Sequence, residues 1–107
     1  MRIVMTALFE RRAKKLLDRQ ARLDLERELA ANPLLGDVVP GLRGLRKMRF
    51  ARPGRGKRGG IRIVYLYVGQ HETVFLLTVY AKNRQDDLTG DDRRTLLAMM
   101  QALEDEL

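Results

Sequence analysis

Two neighbouring segments of this chain, Ile61–Val68 and Thr73–Ala81, are apolar at odd and even positions alike. Ile61, Ile63, Tyr65 and Tyr67 oppose Val64, Leu66 and Val68 in the first, while Phe75, Leu77 and Val79 oppose Val74 and Leu76 in the second. Successive side chains of a strand point to opposite faces, so such a strand is half-satisfied unless both faces are covered. The N-terminal helices suit one face, and the last helix suits part of the other or a partner. The expected class is α+β: one domain spanning residues 1–107, with a small twisted sheet of four mostly antiparallel strands, two N-terminal helices and a C-terminal helix.

The helices are legible from caps and periodicity. Residues 3–5 read as a first strand and Thr6 as an N-cap, followed by Phe9, Ala13, Leu16 and Leu17 at helical spacing. Asp18 is a second N-cap candidate, with Ala21, Leu25 and Leu29 as the apolar stripe and Asn32-Pro33 as the stop. Thr89-Gly90-Asp91-Asp92 opens a last helix carrying Leu96, Leu97, Met100 and Leu103. Residues 32–44, with Pro33, Gly36, Pro40, Gly41 and Gly44, read as an ordered connection. Residues 45–50 alternate as a second strand, 51–60 form a glycine- and arginine-rich loop, and the two apolar strands complete a meander.

Charge is concentrated rather than spread. Nine of the twenty residues from 43 to 62 are Arg or Lys and none is acidic, which accounts for the net charge of +7. A focused positive field attracts polyanions, and the phosphate backbone of nucleic acid is the commonest in a cell. If Phe50 pairs with Ile61 across the loop, Arg49 opposes Arg62 and Lys47 opposes Val64, with all four side chains on one face. Like charges so placed repel unless an anion fills the gap; a solvated charged face is the plainer alternative. Lys57 in the loop, and Tyr80 and Lys82 at the end of the last strand, stand where they rim the same place.

Other chemistries find little support. One histidine, His71 in a hairpin turn, and no cysteine argue against a thiol nucleophile, a disulfide framework or a transition-metal cluster. Asp86, Asp87, Asp91 and Asp92 resemble a magnesium site, yet Asp91 and Asp92 suit a helix N-terminus better. No apolar run reaches the roughly 18 residues of a membrane span, and residues 1–6 hold no signal-peptide core; a cytoplasmic location is expected.

The order of motifs resembles a known family. Asn32-Pro33, Gly36-Asp37, Pro40-Gly41, the run Gly44-Leu45-Arg46-Lys47-Met48-Arg49 and Gly56-Lys57-Arg58-Gly59-Gly60-x-Arg62 resemble RelE/ParE-superfamily toxins of type II toxin–antitoxin systems. Tyr65, the run Leu76-Leu77-Thr78-Val79-Tyr80-Ala81-Lys82-Asn83 and Asp87-Leu88-Thr89 continue the likeness, which is greatest to the HigB-like branch of the RelE type. The resemblance implies a ribosome-dependent mRNA endonuclease that needs no cofactor or metal, with a cognate antitoxin, the ribosome and mRNA as partners and no membrane. It implies Lys47, Arg49, Arg62 and Lys82 as catalytic residues, and Arg46, Lys57, Arg58 and Tyr80 as RNA- or ribosome-binding ones. RelE places a base-stacking tyrosine just beyond the last strand; the matching position here is Leu88, with Tyr80 as the substitute. Two alternatives stand beside this reading: a ParE-type gyrase poison of the same fold, and a basic RNA- or ribosome-binding module without catalysis.

Overall fold

Thr6 ends the first strand and starts the first helix. Its hydroxyl accepts from the Phe9 N–H and donates to the carbonyl oxygens of Leu76 and Leu77, so one side chain caps the helix and ties it to the sheet. In the computed structural model, which describes residues 1–50 and 60–107, β1 (Arg2–Met5) leads into α1 (Ala7–Ala13). A turn then separates α1 from α2 (Arg19–Ala31), capped by the Asp18 carboxylate on the Ala21 N–H. β2 (Asp37–Val38), β3 (Arg46–Phe50), β4 (Ile61–Val68), a 3-10 turn (Gly69–His71) and β5 (Thr73–Ala81) follow, and α3 (Gly90–Glu106) closes the chain. Thr89 and Asp92 form a reciprocal capping box at the start of α3.

The sheet order is β1-β5-β4-β3-β2, with β1 parallel to β5 and every other pair antiparallel. It has five strands where the sequence pattern predicts four. The extra strand, β2, lies inside the segment read as an ordered connection, and pairs through Asp37 with Lys47 and Val38 with Arg46. Two residues are too few to show a period, and tertiary contacts hold them. Tyr65, fully buried, donates its hydroxyl proton to the Pro33 carbonyl at 2.8 Å and accepts from the Gly36 N–H at 2.8 Å. Arg46 donates to the Gly36 carbonyl at 2.8 Å. Gly36 is required there, because a Cβ would stand 3.0 Å from the backbone of Lys47 and from the Tyr65 ring.

Both faces are covered, as the apolar strands demand. Phe9, Ala13, Leu25 and Leu29 of the N-terminal helices, with Leu17 of the turn between them, pack on Met48, Phe50, Ile63, Tyr65 and Leu76. On the opposite face Leu96 and Met100 of α3 pack with Leu42, Leu45, Val64, Phe75 and Leu77. Arg12 reaches around the β5 edge to join the layers, donating to Thr78 at 2.8 Å and lying 3.5 Å from Asp92 of α3.

An irregularity in β5 decides which way Tyr80 points. Val64 pairs with Thr78 and Tyr65 with Leu76, so Leu77 is an extra residue in the strand. Strict alternation predicts Val79 on the face of Phe75 and Leu77. The bulge reverses the phase: Val79 packs with the helix α1–α2 layer, and Tyr80 turns to the α3 side.

Candidate nucleic-acid site

The register puts Phe50 opposite Ile61, Arg49 opposite Arg62 and Lys47 opposite Val64, as the alternating pattern predicts. Met48, Phe50 and Ile63 are buried against the N-terminal helices, so Lys47, Arg49 and Arg62 emerge on the other face. The heads of Arg49 and Arg62 converge around Gly60, whose φ of +61° only glycine takes without strain. A Cβ there would lie 3.5 Å from Nη1 of Arg62 and 3.7 Å from Nε of Arg49. The Gly60 carbonyl also accepts from the Lys82 N–H at 3.1 Å, which ties the end of β5 to the start of β4.

Tyr80 stands beneath these cations. The bulge turns it to this face, where it pairs with Arg62 across the strands. The residue is 5% exposed, packed with Val64 and Leu88, and its hydroxyl has no hydrogen-bond partner among the described residues. Burial raises its pKa above 10.0, while the charges of Lys47 and Arg62 pull in the opposite direction. The phenol therefore keeps its proton at neutral pH. With the ring and its hydroxyl both buried, Tyr80 presents no open ring for a base to stack on. Leu88, the position matching the stacking tyrosine of RelE, is buried beside it at 8% exposure.

Two carboxylates of the β5–α3 connection occupy two of the cations. Nζ of Lys47 donates to Oδ1 of Asp87 at 3.0 Å, and Nζ of Lys82 donates to the Asp86 carbonyl at 2.9 Å with the Asp86 carboxylate 3.7 Å away. The hydrogen bond from Lys47, aided by the Leu88 N–H at 2.7 Å, holds Asp87 below the usual carboxylate value of 3.8. From the sequence, Asp86 and Asp87 are a weak magnesium candidate; in the fold each instead engages a lysine. These roles carry no sequence signal beyond proximity to Lys82, since Lys47 lies 40 residues away.

The structure brings Lys47, Arg49, Arg62, Lys82 and Tyr80 together. It does not bring Arg46 to them: that side chain lies on the opposite face and is engaged by the Gly36 carbonyl. Lys57 and Arg58 lie outside the described residues. Chemically, the cluster offers two guanidinium forks and two ammonium groups, with the neutral Tyr80 phenol buried below them, which suit an oxyanion with several oxygens.

Residues 1–106 match the family model described as the RelE toxin of the RelE / RelB toxin–antitoxin system. Among solved structures, the chain is similar to the toxin–antitoxin complex RelBE2 from Mycobacterium tuberculosis, at 26% identity and a TM-score of 0.56, covering 75% of this chain and 95% of that one. It is similar in fold to the E. coli RelE toxin as a free double mutant, at 17% identity and a TM-score of 0.56 over 79% of this chain and 86% of that one. The isolated E. coli RelE toxin gives 17% identity and a TM-score of 0.51, covering 99% and 98%.

Proposed function

This chain belongs to the RelE toxin family, and from that premise we propose that it is an endoribonuclease cleaving mRNA on the ribosome. The observation that carries the reading is the convergence of Arg49 and Arg62 over Gly60, with Lys47 on the same face. Placing Arg49 directly opposite Arg62 in a sheet is electrostatically unfavourable. A bound phosphodiester reverses the sign of that interaction. The likeness to the HigB-like branch stands as part of the same proposal.

In the proposed reaction the 2′-oxygen attacks the adjacent phosphorus, the P–O2′ bond forms and the P–O5′ bond breaks. The products are a 2′,3′-cyclic phosphate and a 5′-hydroxyl. The 2′-hydroxyl loses a proton and the 5′-oxygen gains one. Arg49 and Arg62 clamp the non-bridging oxygens, where charge builds, and remain charged at every relevant pH. Lys47 serves as electrostatic stabiliser as an ammonium, or as proton acceptor in its neutral amine form, and Lys82 positions the chain or neutralises the leaving oxygen. Phosphate oxygens replace the Asp87 and Asp86 carboxylates as partners of the two lysines.

A cognate antitoxin and a cytoplasmic site of action belong to the same reading. A translating extract tests it: new mRNA ends within coding regions support the nuclease. Intact messages with trapped gyrase–DNA complexes favour a gyrase poison, and ribosome binding without cleavage favours a non-catalytic module.

A further inference from the structure

Beyond the end of β1, which pairs with β5 only as far as Leu76, the edge of β5 is open. A groove of about 820 Å³ runs along it, floored by Val79, Tyr80 and Ala81. One wall is α1 and the turn after it, carrying Arg11, Arg12 and Lys15; the other is the connection through Arg84. No carboxylate among the described residues lines this groove. Arg12 is engaged by Thr78 and Asp92, but Arg11, Lys15 and Arg84 are exposed and have no carboxylate partner among the described residues. The helix dipole accounts for cations at the end of α1, yet not for Arg84, which enters from the opposite wall.

The groove adjoins the cation cluster at the end of β5: Arg84 on its wall follows Lys82 of the cluster by two residues, and Gln85 donates to the Asp87 carbonyl at 2.9 Å, while Asp87 holds Lys47. We infer that this groove is a second phosphodiester-binding site, which takes the stretch of single-stranded mRNA adjoining the cleaved phosphate. The inference rests on the nuclease reading for the identity of the strand. Cations from two walls with no interleaved carboxylate fit a polyanion that passes between them, and a strand leaving the cluster past Lys82 meets Arg84 next.

The test compares the full-length protein with the triple variant Arg11→Gln, Lys15→Gln, Arg84→Gln, none of which lies in the proposed catalytic cluster. The probe is an uncleavable 2′-O-methyl oligoribonucleotide, titrated at several salt concentrations. Each cation withdrawn from a phosphate lowers the slope of log affinity against log salt by about 0.7 for a single strand, so the triple variant should show a slope shallower by about 2 at unchanged thermal midpoint. An unchanged slope in the folded variant overturns the proposal, as does a wild type with no salt-dependent binding of the probe. A variant that binds the probe normally but has a lower affinity for empty ribosomes assigns the groove to ribosomal RNA and overturns it too. A wild type that binds the probe with the expected slope but cleaves no mRNA sinks the nuclease reading while leaving the groove.

Discussion

Lys47 connects more of the candidate site than any other residue: it pairs with Asp87, acts on the Tyr80 phenol and shares a face with Arg49 and Arg62. Removing one preorganised electrostatic contact typically costs on the order of 10²–10³ in rate. Arg62→Ala and Lys47→Ala should each reduce mRNA cleavage by that much in a protein that still folds cooperatively, with Lys47→Ala also losing the stability that its pair with Asp87 supplies. Full activity in both folded variants would refute the assignment of the site. Asp87 and Asp92 carry the acid-side prediction. Lys47 holds Asp87 down; at Asp92 burial pushes up, but the Thr89 N–H, Gln85, the Thr89 hydroxyl and Arg12 outweigh it. Both folded-state values therefore lie below 3.8, so their contribution to stability is complete above that pH and is lost as pH falls through the lowered values. Thermal midpoints should decline below about pH 4, and Asp92→Asn should flatten the decline. An unaltered acid profile in that variant would contradict the account.

At the scale of elements, the register was legible in the alternating strands because Phe50 and Ile61 bracket the loop with matching apolar faces. Caps at Thr6, Asp18 and Thr89 were legible for a similar reason, since a short polar side chain before an apolar stripe is suited above all to capping. The bulge at Leu77 was not legible: in a strand apolar on both faces, a reversed phase leaves no trace in the pattern. Nor was β2, whose two residues are held by Tyr65, Gly36 and Arg46 from elsewhere in the chain. Tyr65→Phe should show how much depends on that hold. It leaves the buried Gly36 N–H without its acceptor, at a cost of about 1–3 kcal/mol. The thermal midpoint should drop by several degrees, and Gly36→Ala should destabilise as well because backbone rather than a flexible side chain blocks its Cβ. A wild-type midpoint for Tyr65→Phe would mean that the connection is held by something else. Thr89→Ala should cost about 1 kcal/mol through loss of the cap on α3.

For the molecule as a whole, a net charge of +7, with nine basic residues and no acidic one between positions 43 and 62, calls for neutralisation when the toxin is idle. Apolar side chains are also open to solvent on the connection and edge strand, at Leu34, Leu35 and Val38. A cognate antitoxin with acidic residues, contacting a sheet edge or the N-terminal helices, answers both features. Its complex should weaken with salt yet survive roughly molar concentrations through apolar contact. The central claim is that the cations over Gly60 cut RNA rather than merely bind it. Mapping mRNA ends in a translating extract, with wild type beside Arg62→Ala, tests that claim most directly. The account predicts new breaks within coding sequence, with 2′,3′-cyclic phosphate termini, from the wild type and almost none from the variant. Intact mRNA in an extract whose translation the wild type has nonetheless stopped would contradict it.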